Sequence, residues 1–344
     1  MTTSLKTWLA LLLLISATSA ACAAQSGNID AIDIGSFMIL GKDVRLDGQP
    51  VTYVATSPNM KPFKNDPNGD YETGQMYVDY VKLSHPSFPI PMLMWHGGGL
   101  DGQTWETKPD GTPGWNTFFL RAGFDVYVSD AVERGKSTWS KFPEIYKTPP
   151  IFRTKKEAWE LFRIGPSYGD GREPVAYRNT QFPVDSFRQF AAESTPRWLT
   201  NDAPTQEAYD KEVQKLCPCV LVAHSQGASF ALMAAQHAPE KIKAVVLVEA
   251  SSAPSTQGVD FARLHKIPYL FLWGDHIDDS PLWPGFQRKA RAYFDALQKS
   301  GVAARWVSLP DIGIHGNSHM IMMDRNSDQI AQIVLDWLKR QSLD

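Results

Sequence analysis

The sequence predicts an α/β fold: a mostly parallel central sheet with antiparallel leading strands, helices on both faces and an inserted helical cap. Three observations predict it. From residue 90 onward, apolar runs of strand length alternate with amphipathic segments of helix length, the pattern of a sheet covered on both sides. One run, VLVAHSQGASF at residues 220–230, passes from an apolar strand through a turn of small residues into an apolar helix. A single long segment, residues 138–206, interrupts the alternation.

The N-terminus stands apart from the rest. Lys6, the apolar run of residues 8–15 and the small-residue stretch SATSAACAAQS have the three-part layout of a secretory signal peptide, expected to span residues 1–24 with cleavage after Ala23 or Ala24. The run is far shorter than the ~20 apolar residues of a membrane-spanning helix, so no membrane anchor is expected after its removal. Lipidation at Cys22 is the alternative, although Ser19 stands where a lipobox usually has Leu. Either way the protein is expected to be secreted or periplasmic.

Residues 25–137 read as the first part of the core. Up to about His85, short strands such as FMILG, VTYVAT and QMYVDYVKL are separated by turn signals, and the last alternates with period two; they predict an antiparallel leading edge. IPMLMW then reads as an apolar strand, GWNTFFLRAG as a short helix and FDVYVSD as a second strand. Residues 138–206 are rich in Pro, Arg and aromatic side chains. A structureless loop of that length is improbable inside a compact domain, so the segment is read as a mainly helical cap over the end of the sheet that carries the small-residue turn. Residues 207–344 supply the second part of the core: the strand CVLVAH with its helix ASFALMAAQHA, the strands AVVLVE, PYLFLW and ARWVSL, and the helices WPGFQRKARAYFDALQK and SDQIAQIVLDWLKR.

Composition excludes some classes of function. With 43% hydrophobic residues, 21% charged residues and a formal net charge of −3, the chain has no electrostatic footprint for nucleic acid or an anionic membrane. Once the signal peptide is removed, Cys217 and Cys219 are the cysteines that remain. Secreted proteins seldom leave thiols unpaired, which favours a bond between them, although a bridge two residues apart lies near the edge of allowed geometry. Neither has the context of a catalytic thiol.

The turn around Ser225 carries the chemistry. A nucleophile elbow is so tight that the residues two before and two after the nucleophile must be small, and Ala223 and Gly227 meet that need. The competing reading is an ordinary serine capping a helix. A serine hydroxyl is a weak nucleophile until a base takes its proton, so a His and an orienting acid are expected further along the chain. The loop DIGIHGNSHMIMMD, after the last strand, offers His315 and His319. His319 is chosen because it stands immediately before the apolar stretch entering the final helix, and His315 is assigned to shaping the loop. The spacing of the pair is near that of a zinc motif, but Gly316 stands where the Glu should be, and no metal site is expected. For the acid, Glu249 ends the apolar strand AVVLVE, whereas Asp275, Asp278 and Asp279 follow the next strand. A carboxylate at the end of a buried strand is costly to desolvate unless it is paired. Glu249 is therefore favoured and Asp278 is the alternative.

Acyl transfer also needs preorganised N–H donors for the oxyanion. One is expected from Gln226, at the start of the elbow helix. The other is expected from His96-Gly97-Gly98-Gly99 after the first parallel strand, with Gly98 first and Gly99 next, because consecutive glycines let backbone N–H groups turn inward. Residues 134–137, RGKS, end like a phosphate-binding loop, but Asp130 replaces its first Gly and no helix follows, so no nucleotide site is read.

Together, HGGG, the D-x-x-x-R-G-x-S turn at residues 130–137, AHSQG and GNSHM resemble the α/β-hydrolase superfamily, in the family's order and over nearly the whole mature chain. The stretches TWETKPDGTPGW, FRIGPSY, NTQFPVD, GDHIDD and HGNSHM resemble a group of secreted bacterial esterases. The resemblance implies an α/β-hydrolase fold and an acid that is a Glu at the end of the strand after the elbow helix, which matches Glu249. The expected activity is that of a secreted serine carboxylic-ester hydrolase on a small-molecule ester, without a cofactor. The same triad on an amide, lactone or carbon-carbon bond is the alternative, and a non-catalytic binding protein is a more remote one. Trp105, Trp159, Phe162 and Trp283 are candidate pocket walls or core residues. The oligomeric state is not readable; the cap and the leading-edge strand are the surfaces on which a homodimer would form.

Overall fold

The computed structural model describes residues 27–169 and 171–343; the expected signal peptide and Cys22 lie outside the described residues. The chain opens with β1 (Ala31–Ile39), β2 (Lys42–Leu46), β3 (Thr52–Val54), β4 (Phe63–Asn65), β5 (Gly69–Thr73) and β6 (Met76–Leu83). Next come β7 (Met92–Trp95), α1 (Gln103–Glu106), α2 (Trp115–Ala122) and β8 (Val126–Asp130), then α3 (Lys155–Leu161) and α4 (Phe187–Ala192). The C-terminal part runs α5 (Asp202–Leu216), β9 (Cys219–His224), α6 (Gln226–His237), β10 (Ile242–Val248), β11 (Tyr269–Trp273), α7 (Trp283–Lys299), β12 (Ala304–Ser308) and α8 (Ser327–Leu338).

Eight strands form one sheet in the order β1-β6-β8-β7-β9-β10-β11-β12. β1 and β6 pair antiparallel, as do β6 and β8, and from β8 onward every pair is parallel. The expected antiparallel leading edge and parallel remainder are both present. Every residue of β7, β9 and β11 is buried, which explains why these segments read as unbroken apolar runs rather than as alternating ones. Successive side chains still point to opposite faces. Met94, Val222 and Val246 pack with Trp115, Phe119, Ile330 and Val334 of α2 and α8, while Leu93, Leu221 and Val245 pack with Tyr209, Ala231, Tyr293 and Leu297 of α5, α6 and α7.

The inserted segment is less regular than a mainly helical cap. Between β8 and α5 the α-helices are α3 and α4, both short, and α5 already begins at Asp202, ahead of the expected boundary at 206. Prolines at 143, 149, 150, 166, 174, 183 and 196 remove backbone donors and push the residues before them out of helical conformation. Order comes from packing instead. Trp159, Phe162, Phe182, Phe187 and Phe190 are buried against one another in the same apolar cluster as α2 and α8, and backbone bridges tie Ile151 to Arg197 and Ser167 to Val175. Cys217 and Cys219 are disulfide-bonded between α5 and β9, with their Cα atoms 4.4 Å apart. Among the described residues no helix is long and apolar enough to cross a membrane.

Candidate active site

Ser225 sits between β9 and α6 with φ 54° and ψ −114°, a conformation rare for a residue with a Cβ. Its surroundings hold it there. The Ser225 N–H donates to the Val248 carbonyl at 2.9 Å, and the Ser251 N–H donates to the Ser225 carbonyl at 3.3 Å. On the other side, a Cβ at Gly227 would stand 2.7 Å from the His96 carbonyl oxygen and 2.9 Å from that of Trp95, so the elbow helix is seated directly on the β7 backbone. That contact is the physical reason for the small residue two positions after the serine. Gln226 opens α6, where backbone N–H groups lack partners within the helix and the helix dipole favours negative charge.

β10 delivers Glu249, also at positive φ, 55°, and fully buried. Its Oε1 accepts hydrogen bonds from the Gly274 N–H and, at 2.7 Å, from Nη2 of Arg163, whose side chain is likewise fully buried. Its Oε2 lies 3.2 Å from Nδ1 of His319. With Nδ1–H directed at the carboxylate, Nε2 of His319 is left as the basic lone pair. The His319 ring is enclosed by Trp283, His224 and Phe162, at centroid distances of 4.2, 4.4 and 5.2 Å. Burial, helped by the positive charges of Arg163 and Arg153, holds its pKa well below the usual imidazole value, so the imidazole is neutral at neutral pH.

The loop that carries His319 is anchored on both sides. The buried carboxylate of Asp324 accepts from the Ser318 N–H at 2.9 Å, the Ser318 hydroxyl at 2.7 Å and Nδ2 of Asn317 at 2.9 Å, and burial raises its pKa to about 7. The His319 N–H donates to the Phe162 carbonyl at 2.8 Å. Asp275 accepts from the Gly316 N–H at 2.8 Å and lies 3.6 Å from Nδ1 of exposed His315, a loop-shaping contact. Asp279 pairs with His276 at 2.7 Å. Asp278 is exposed, and no hydrogen bond among the described residues joins it to His319. The geometry thus brings His319 and Glu249 together past the ends of β10 and β11, sets Ser225 at the end of the neighbouring β9 next to His224, whose ring lies against His319, and leaves Asp278 outside.

The glycine loop after β7 is set by His96. Its Nε2 accepts from the Ala131 N–H at 2.9 Å, which leaves Nδ1 to donate to the Gly97 carbonyl at 2.8 Å; burial lowers the His96 pKa to about 3 and keeps this tautomer neutral. Asp130 braces the same region, its Oδ1 accepting from Gly102 and its Oδ2 from Lys136, both at 2.7 Å. Gly98 is packed so closely that a Cβ there would stand 2.8 Å from Oε1 of Gln226 and 3.0 Å from Nη1 of Arg197, while Gly99 has φ 73°. Of the four candidate pocket walls, Phe162 and Trp283 lie against His319. Trp105 lies tilted against Trp115 in the core, and Trp159 packs within the inserted segment with Tyr168 and Phe187.

Arg163, His224 and Asp324 escape sequence reasoning. Arg163 is 86 residues from its partner Glu249, in a stretch without periodicity. The one available signal is an arginine flanked by Phe162 and Ile164, where a charge demands a partner. His224 donates through Nε2–H to the His319 carbonyl, 3.0 Å away.

A family model described as the alpha/beta hydrolase fold matches residues 90–337. A curated probable secreted lipase from a fungus (Fungal sp. strain ATCC 74256) is 26% identical over 329 residues, covering 79% of this chain and 88% of its own. Among solved structures, a novel bacterial esterase is 35% identical, with a TM-score of 0.79 and coverage of 92% of this chain and 98% of the esterase.

Proposed function

Because the chain belongs to the alpha/beta hydrolase family, we propose that it is a secreted serine hydrolase of carboxylic esters acting through an acyl-enzyme. The observation that carries the reading is the buried contact of His319 Nδ1 with Glu249, at 3.2 Å, beside a serine held at φ 54°. The esterase similar at 35% identity supports the ester bond as the target, and the secreted relative, together with the layout of residues 1–24, supports secretion.

In this reading Ser225 Oγ attacks the ester carbonyl while Nε2 of His319 takes its proton, and Glu249 holds the imidazole in the required tautomer. The N–H groups of Gln226 and Gly98 donate to the oxyanion. The imidazolium protonates the departing alcohol, and a water activated by His319 then hydrolyses the acyl-enzyme. No group beyond these side chains is needed for the steps to balance.

The test is hydrolysis of a short-chain p-nitrophenyl ester by the mature protein. Ser225→Ala is expected to abolish turnover, and Glu249→Gln to lower kcat by about 10²- to 10⁴-fold through the wrong tautomer. A near-normal rate with Glu249→Gln would transfer the acid to Asp278, and an active Ser225→Ala would sink the serine mechanism.

A further inference from the structure

We propose that the site selects esters bearing a carboxylate a few atoms from the scissile carbonyl, recognised by Arg197 with Arg153; this rests on the esterase reading above and names its substrate class. The two arginines come from the inserted segment. Reciprocal backbone hydrogen bonds between Ile151 and Arg197, at 2.8 and 3.0 Å, hold the stretch 151–153 beside residue 197. The Thr195 N–H donates to the Gly99 carbonyl at 3.1 Å, and its hydroxyl donates to the Leu100 carbonyl at 3.0 Å. Both guanidiniums are thereby set on the glycine loop. Nη1 of Arg197 would be 3.0 Å from a Cβ at Gly98, Nη1 of Arg153 would be 3.4 Å from one at Gly99, and Arg153 Nη1 donates to the Gly98 carbonyl at 3.2 Å.

These charges are only partly compensated by carboxylates on the protein. Nε of Arg197 is buried without a hydrogen-bond partner, and among the described residues no carboxylate lies within ion-pair distance of its guanidinium. The carboxylate of Asp202, whose charge favours the ionised Arg197 without an ion pair, accepts from Nε2 of Gln226 at 3.0 Å. Arg153 reaches Glu157 at 3.4 Å on a half-exposed helix face. A third cation, Arg134, is buried next to them, with Nη1 donating to the Pro196 carbonyl at 2.8 Å and Nε unpaired. Placing guanidiniums out of water without an anion is costly, and a ligand that supplies the anion recovers that cost. A guanidinium fork fits a carboxylate through two parallel N–H···O bonds. Arg153 lies next to the proposed reacting centre, its guanidinium 4.6 Å over the Phe162 ring, whose neighbour at 5.2 Å is the His319 ring, while Arg197 lies against Gly98. Burial lowers the pKa of both arginines, in keeping with charges held in a poorly solvated place.

The experiment compares monomethyl glutarate with methyl pentanoate, of the same acyl chain length, by pH-stat titration at fixed ionic strength. The parent protein is expected to favour the hemiester at least tenfold in kcat/KM. Arg197→Gln is expected to cut that ratio at least tenfold, and Arg197→Lys to recover part of it. Calorimetric titration with free glutarate gives a second readout that needs no variant, with binding by the parent expected to weaken as salt is raised. A parent that treats the two esters alike overturns the proposal. So does an Arg197→Gln loss equal for both esters, which would assign the guanidinium to the oxyanion or to folding. If the parent binds glutarate but turns over neither ester, the anion site stands and the esterase reading falls; if it neither binds glutarate nor turns over the hemiester, the anion site falls.

Discussion

Arg163, Glu249 and His319 form a buried relay in which each member depends on its neighbour. Removing the cation alone would leave the Glu249 carboxylate in the interior with the Gly274 N–H and a neutral imidazole as its partners. Arg163→Met is therefore expected to destabilise the fold by about 3–5 kcal/mol, read as a lower urea midpoint with an unchanged denaturant slope. A loss under about 1 kcal/mol would mean that water reaches the pair, since exposed pairs contribute no more than that. The depressed pKa of His319 also has a kinetic consequence. In the proposed mechanism protonating His319 stops the reaction, so the acid limb of kcat/KM is expected well below pH 6.5, the ordinary imidazole value. A limb at or above neutrality in the pH–rate profile would contradict a buried, neutral base. Ser225, His319 and Glu249 could each be nominated from the sequence because their cues are local: Ser225 and Glu249 follow the apolar strands β9 and β10, and His319 precedes the apolar stretch that leads into α8. Arg163 could not be, because nothing near it in the chain indicates which distant carboxylate it meets.

Elements position these residues through backbone-to-backbone seating, and that makes sharp demands on particular glycines. Gly227→Ala is expected to lower both melting temperature and turnover, because the new methyl group would be driven into the Trp95 and His96 carbonyl oxygens, at 2.9 and 2.7 Å. Gly285, in α7, provides the contrast. The nearest atom to a Cβ there is the flexible end of Arg288, 3.8 Å away, so Gly285→Ala is expected to stabilise by about 0.4–1 kcal/mol through the unfolded chain. Thermal unfolding of the two variants side by side checks both signs, and equal shifts would refute the seating argument. The same distinction explains what the sequence conveyed about the elements. Strands of the sheet interior and the helices after them announce themselves by length and period. The inserted segment does not, because its prolines leave short helices and its order arises from aromatic packing across distant positions such as Trp159 and Phe187.

At the scale of the whole molecule, buried ionisable groups make stability depend on pH in a definite direction. Burial raises the pKa of Glu133 and Glu193 to about 8, and of Glu212 and Asp324 to about 7. The folded protein thus retains protons that the unfolded chain releases near pH 4–4.5. Their contribution to stability is complete below that unfolded value and is lost as pH rises through 7 to 8. Burial lowers the pKa of His96, His224 and His319, so these groups act oppositely, reducing stability as pH falls below the unfolded imidazole value of about 6.5. Above that value the carboxylates act alone, and the melting temperature is expected to fall between pH 6.5 and 8.5. Glu193→Gln should flatten that slope, and an identical slope in this variant would show that Glu193 is not held protonated. The sequence by itself determined the fold class and nominated Ser225, Glu249 and His319 for the proposed chemistry, because each rests on local pattern: period, residue size and the penalty for a lone charge at a strand end. Only the tertiary structure decided that Arg163 meets Glu249, that Asp278 stays in solvent and that Arg153 and Arg197 close over the glycine loop. Those are pairings between segments far apart in the chain, fixed by how its layers pack, and local sequence carries no record of them.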